Sequence, residues 1–141
     1  MNILLAFLVT FSMHTVFAED LIEATPFTKI KFGWMLGKGD YIEVENPDYF
    51  DEGKRHFLIE VEGKDYKDII KETKAIYGSN YKCMIAEHFT EAMNAIGVKV
   101  TDKVDLKLYL FSWGHKLIDI EDVPSTEDNI YEIQYNTKYC E

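Results

Sequence analysis

The chain is poor in cysteine: 141 residues hold two, and no CxxC pair, so neither a four-cysteine zinc site nor a dithiol redox motif can be built. No Asn-x-Ser/Thr sequon occurs, which removes N-linked glycosylation. The patterns GxSxG, HExxH and HxxEH are absent, and so is the D-x-[DN]-x-[DN]-G spacing of an EF-hand loop. A nucleophile elbow, a helical zinc site and an EF-hand calcium loop are therefore not written into this chain. Positive charge is also short, with 15 Lys+Arg against 25 Asp+Glu and a net charge of −10. Phosphate recognition needs a basic face, so no nucleic-acid partner is expected, and anionic membrane surfaces are disfavoured for the same reason. A cationic protein or peptide would instead be steered toward this surface.

Charge is missing altogether from Asn2 to Ala18, which contains no Asp, Glu, Lys or Arg. Ile3 to Phe11, ILLAFLVTF, is almost wholly apolar, and Val16-Phe17-Ala18 places modest side chains at −3 and −1 of a cleavage point before Glu19-Asp20. That is the layout of a secretory signal peptide over residues 1–18, leaving a single domain over 19–141. The apolar core is shorter than the roughly 20 residues that cross a bilayer, and no later segment is long enough to span. The expected location is extracellular or periplasmic. There the lone pair Cys83 and Cys140 reads as one disulfide, closing a loop of about 58 residues worth roughly 4 kcal/mol on the chain-entropy model.

The rest of the chain alternates between two periods. Thr28, Ile30, Phe32, Trp34 and Leu36 share one face of a strand, and Gly37-Lys38-Gly39-Asp40 turns it into a second strand over Tyr41 to Glu45. The acidic stretch NPDYFDEGKR then precedes a third strand, His56 to Glu62, with Phe57, Ile59 and Val61 read as inward. From Asp65 the period becomes helical, with Tyr66, Ile69, Ile70, Thr73, Ile76 and Tyr77 on one stripe, Asp65 as N-cap and Gly78 as stop. A second helix runs from Ser79 or Asn80 to Ile96, where Gly97 ends it. Period two returns in Val104 to Phe111, in Lys116 to Ile120 and in Asn129 to Lys138, the last pair separated by the acidic loop Asp122 to Asp128. The order β-β-β-α-α-β-β-β predicts an α+β fold, a largely antiparallel sheet of about six strands covered on one face by a two-helix hairpin.

Few residues offer chemistry. On the second helix, Ile85, Ala86, Phe89, Ala92, Met93 and Ile96 form the apolar stripe, with Glu87, Glu91 and Asn94 opposite and His88 on the flank. His88 and Glu91 are i, i+3 neighbours and the weak candidates for acid–base or metal work, but the helix supplies no third ligand. His56 and His115 read as surface histidines. Aromatic residues make up 14% of the chain, and Tyr41, Tyr49, Phe50, Tyr109, Phe111 and Trp113 fall on loops, strand edges or the face opposite the leucines, where binding surfaces are rich in such side chains.

The leading expectation is a secreted or periplasmic binding protein without catalysis, of the inhibitor or immunity type, whose partner is a cationic protein or peptide. The alternatives are a carrier of a small apolar ligand held between sheet and helices, and a small hydrolase or metal-dependent enzyme using His88 and Glu91. No metal and no cofactor is expected for the leading reading. Intact mass spectrometry of native material is expected to find a chain beginning at Glu19 whose two thiols stay unreactive to iodoacetamide until reduced. A chain still beginning at Met1, or one whose thiols both react freely after denaturation, would contradict this reading.

Overall fold

Alternating side chains become a strand when every second one can leave water, and the first two strands do so as a pair. In the computed structural model, which describes residues 22–111 and 114–140, β1 (Lys29–Met35) and β2 (Gly39–Glu45) form an antiparallel hairpin from Lys29 opposite Glu45 to Met35 opposite Gly39. Gly37 and Gly39 take φ of 85° and 79°, left-handed values that a tight reversal demands and a Cβ resists. The chain continues through β3 (Arg55–Val61), the two-residue β4 (Lys64–Asp65) and α1 (Tyr66–Tyr77), then a 3-10 turn over Gly78–Asn80. The second half holds α2 (Tyr81–Glu87), α3 (Phe89–Ala95), β5 (Lys103–Phe111), β6 (Lys116–Pro124) and α4 (Glu127–Asn136).

The fold is α+β, with six antiparallel strands among the described residues, ordered β1-β2-β3-β5-β6 with β4 paired to β3. Residues 1–18, read as a signal peptide, lie outside the described residues. The helices pack on one face, where Ile30, Ile42, Val44, Leu58 and Leu108 from the sheet meet Ile69, Ile85, Phe89, Met93 and Ile133. Asp65 caps α1 as expected, its side chain accepting from the Lys67 N–H at 2.8 Å.

Two segments depart from the sequence reading. Asn129 to Lys138, expected as the last strand, lies largely in α4. Thr126 caps that helix by accepting from the Asn129 N–H, and Glu127 and Asp128 stand in its first turn. Its buried residues are Ile130 and Ile133, spaced i, i+3, while Tyr131 and Tyr135 of the apparent alternation are exposed. The stretch Asp122 to Asp128 is accordingly the end of β6 and the start of α4. The second departure is a break at His88, which has φ −128° and ψ 47° and divides the expected second helix into α2 and α3. Across the break the inward set changes, so Glu87, expected in solvent, is only 3% exposed.

Glu87 turns toward the C-terminal segment. One carboxylate oxygen accepts from the backbone N–H of Tyr139 at 2.8 Å and of Cys140 at 2.5 Å. The Cys83–Cys140 disulfide closes beside it with 4.8 Å between Cα atoms. The same segment dresses the outer edge of β1: Asn136 Nδ2 donates to the Thr28 carbonyl and the Tyr139 hydroxyl to the Ile30 carbonyl. His56 is a further correction. Expected at the surface, it is 2% exposed against Phe50, and burial pushes its imidazole below the usual histidine range by disfavouring the charged form.

Bonds from N–H groups to a buried carboxylate are charge-assisted and costly to leave unmade. Glu87→Ala is expected to lower stability by about 3 kcal/mol, read from the urea midpoint, whereas Glu132→Ala on the exposed side of α4 should change it by less than about 0.5 kcal/mol. An unmoved midpoint for Glu87→Ala would remove the carboxylate from the account of what holds the C-terminus.

Candidate functional site

The sheet is continuous on both sides of one gap. Among the described residues β2 meets β3 only at Glu43 opposite Phe57 and at Val44 opposite His56. Beyond that point the ladder does not continue, and Asp40, Tyr41, Leu58 and Ile59 border a common opening. The register between β3 and β5 slips between Leu58 and Glu60, leaving Ile59 without a partner in the ladder. An extra residue of this kind bends its strand and increases its local twist. The split opens a cleft of about 260 Å³. Tyr41 stands on the β2 side, Phe57, Tyr109 and Phe111 on the β3–β5 side, and Lys38, Arg55 and His115 at the rim. Leu58 and Tyr66 belong to the helix side of the sheet and also line the cleft, so it reaches into the gap between the strands.

The aromatic groups form a connected row. Tyr41 meets Phe57 edge-on at 5.4 Å between ring centroids, Phe57 lies 6.3 Å from Tyr109, and His115 sits 5.6 Å from Tyr109 and 5.8 Å from Phe111. The Tyr109 hydroxyl hydrogen-bonds His115 Nδ1, which ties the β5–β6 turn to the row. Two cations of the chain lie over these rings, Arg55 5.1 Å from the Phe57 centroid and Lys38 5.9 Å from that of Tyr109. Arg55 is not free to leave without cost, because its guanidinium forks onto Glu43 at 2.8 and 2.9 Å. That hydrogen bond holds the Glu43 carboxyl below the usual carboxylate range. Gly33 explains the placement of Tyr41: its missing Cβ leaves the space that the phenol ring occupies.

Of the aromatic residues singled out from the sequence, Tyr41, Tyr109 and Phe111 converge on the cleft. Tyr49 is exposed in the loop before β3, Phe50 is buried against His56, and Trp113 lies outside the described residues. Phe57 was missed. It was read as inward, but the bulge at Ile59 breaks the alternation, and the inward set is His56, Leu58 and Val61. His115, read as an ordinary surface residue, belongs to the row. Between the sheet and the helices, where a carried ligand was considered, Ile30 is buried and Phe32 packs edge-on against Tyr81 and Tyr139. A hollow of about 130 Å³ remains there, bordered by Phe32, Trp34, Ile70 and Tyr81.

The second candidate cluster is at the helix break. His88 is half-buried there, and Glu91 is exposed in the first turn of α3. The structure adds Glu23, whose carboxylate accepts from the Thr90 N–H at 3.2 Å and the Glu91 N–H at 3.3 Å. Burial pushes the Glu23 carboxyl above the usual range, and those N–H groups only partly offset it. Comparison with protein-family models, with curated proteins and with solved structures returns no match, so the geometry alone carries the functional reading.

If Tyr41 owes its place to the missing Cβ, Gly33→Ala must displace it. The variant is expected to lose about 1–3 kcal/mol by overpacking and to shift the ring proton resonances of Tyr41 and Phe57 while those of core residue Phe89 stay put. Unchanged Tyr41 resonances would mean that the glycine does not seat the ring.

Proposed function

We propose that this chain is a non-catalytic binding protein of the inhibitor or immunity type, acting outside the cytosol on a protein partner. In this reading the cleft between β2 and β3 receives an apolar or aromatic side chain of that partner. The observation that carries the proposal is the split itself. A continuous β2–β3 ladder would have closed the surface, whereas the bulged strand leaves a row of aromatic groups around a concave site, the chemistry from which interface anchors are made. The disulfide supports the compartment, since such bonds persist where the environment is oxidising.

Local and long-range charge play separate parts. At the rim of the cleft Lys38 and Arg55 already occupy faces of Tyr109 and Phe57, which favours an uncharged anchor there. The net charge of −10 acts at longer range, with Asp119, Glu121 and Asp122 on the neighbouring β6 and Glu127 and Asp128 on α4. It steers a basic partner and speeds encounter rather than tightening the final complex. A small apolar ligand in the same cleft is the second reading, favoured by the cleft volume, which falls just below the roughly 300–1,000 Å³ of drug-sized pockets.

Selection of displayed random peptides against the oxidised protein tests this reading. Enriched peptides should carry an aromatic or long aliphatic residue flanked by Lys or Arg. They should lose at least about tenfold in affinity for a Phe57→Ala/Tyr109→Ala variant, the order expected when interface anchors are truncated, and associate more slowly as salt is added. Peptides that bind the double variant as tightly as the parent would remove the cleft from the proposal. A dye such as anilinonaphthalene sulfonate that binds the cleft while no peptide does would favour the small-ligand reading.

A further inference from the structure

The helix carrying His88 and Glu91 lacks a third ligand of its own, and the fold brings one from elsewhere. Glu23 lies in the segment before β1, more than sixty positions away in the chain, yet donor atoms of Glu23, His88 and Glu91 all lie within 4.8 Å of one another. We propose that these three side chains bind a divalent transition-metal cation of the zinc or manganese class.

The donor set defines the class. One imidazole nitrogen with two carboxylates suits zinc and manganese, while calcium and magnesium prefer oxygen alone and soft cuprous ions prefer sulfur. Bonds of about 2.0–2.2 Å to nitrogen and oxygen put neighbouring donors in a tetrahedral site roughly 3.3–3.6 Å apart. The donor atoms, within 4.8 Å of one another, must therefore draw together to close on an ion. Three protein ligands leave at least one position for water.

The site is also braced. Each Glu23 oxygen accepts a single backbone N–H, from Thr90 or Glu91, which orients the carboxylate and leaves each oxygen a further lone pair. Thr90 Oγ1 accepts from the Ala24 N–H at 3.3 Å and donates to the Ala24 carbonyl at 3.1 Å, pinning the segment that carries Glu23. His88 stands at the break between α2 and α3, its N–H donating to the Met84 carbonyl at 3.0 Å and its carbonyl accepting from the Ala92 N–H at 2.9 Å, so the backbone that carries the imidazole is held on both sides of the break. The sulfurs of Cys83 and Cys140 are as near to His88 as the carboxylates, but both are consumed in the disulfide and offer no thiolate. The imidazole is thus left to the oxygens. A bound ion would fasten the segment ahead of β1 to α3, independently of the aromatic cleft.

Isothermal titration of chelator-treated, oxidised, tag-free protein with zinc chloride, and separately with manganese chloride, tests the assignment. One ion per chain is expected, with affinity reduced at least about tenfold by Glu91→Gln and further by His88→Ala, since losing even an outer-shell partner of a metal ligand typically costs about 10–100-fold. In the nitrogen-15 spectrum of labelled histidine, His88 should be the imidazole that shifts on zinc addition, and the thermal midpoint should rise for the parent but not for His88→Ala. Glu91 is exposed, so Glu91→Gln keeps the test decisive even if His88→Ala fails to fold. Absence of binding up to 1 mM (on the order of the weakest metal sites), binding unchanged in Glu91→Gln, or a shift at His115 in place of His88 would each overturn the proposal.

Discussion

One carboxylate sits where most of this architecture converges. Glu87 is buried, and a buried carboxylate is tolerated only where its oxygens are met by hydrogen bonds. The partners it finds are the backbone N–H groups of Tyr139 and Cys140, at the far end of the chain. The disulfide makes that meeting permanent under oxidising conditions, and the two constraints act on adjacent residues. With the C-terminal segment held there, Tyr139 and Asn136 reach the carbonyls of β1 and cover an edge that would otherwise offer itself for pairing. The helix break follows from the same geometry. A continuous helix that buries Ile85, Ala86, Phe89 and Met93 turns residue 87 to solvent, whereas the division at His88 lets Glu87 face inward and still buries Phe89 and Met93.

The opposite face of the sheet answers to a different constraint. β1 and β2 form one closely registered ribbon, β3, β5 and β6 form another, and two residue positions join them. The helical layer buries the inner side of both ribbons, so the sheet can afford a weak join on the outer side. Tyr66, at the start of α1, stands under the opening, and the Lys74–Asp40 ion pair at 3.2 Å links α1 to the β2 side of it. An exposed pair of that kind contributes little to stability, and its use here is to hold position. The result is a concave aromatic surface flanked on either side by a hydrogen-bonded ribbon.

The strands and helices that were legible in the sequence are those whose period had one explanation. β2 and β5 alternate as expected, β1 does so through Ile30 and Phe32 while Trp34 and Leu36, read onto the same face, are exposed, and α1 has a cap, a stripe and a stop in the right places. Asn129 to Lys138 misled because Tyr131, Ile133 and Tyr135 alternate while Ile130 and Ile133 carry a helical spacing in the same ten residues. The Thr126 cap and the burial of the isoleucines decide for the helix. Phe57 misled because a single bulge inverts the faces of a strand, and nothing in RHFLIEV marks where the bulge falls. Half of the aromatic candidates reached the cleft; Phe50 went to the core because His56 beside it is itself buried.

Local chemistry therefore determined the compositional class, the pairing of the two cysteines, most of the elements and the α+β arrangement. Those properties depend on residues close in the chain, or on a pair with no rival partner. Tertiary structure alone decided the inward turn of Glu87, the opening between β2 and β3, and the approach of Glu23 to His88 and Glu91. Each of these depends on which distant backbone groups arrive at a side chain, and that is settled by packing of the whole chain rather than by spacing along it.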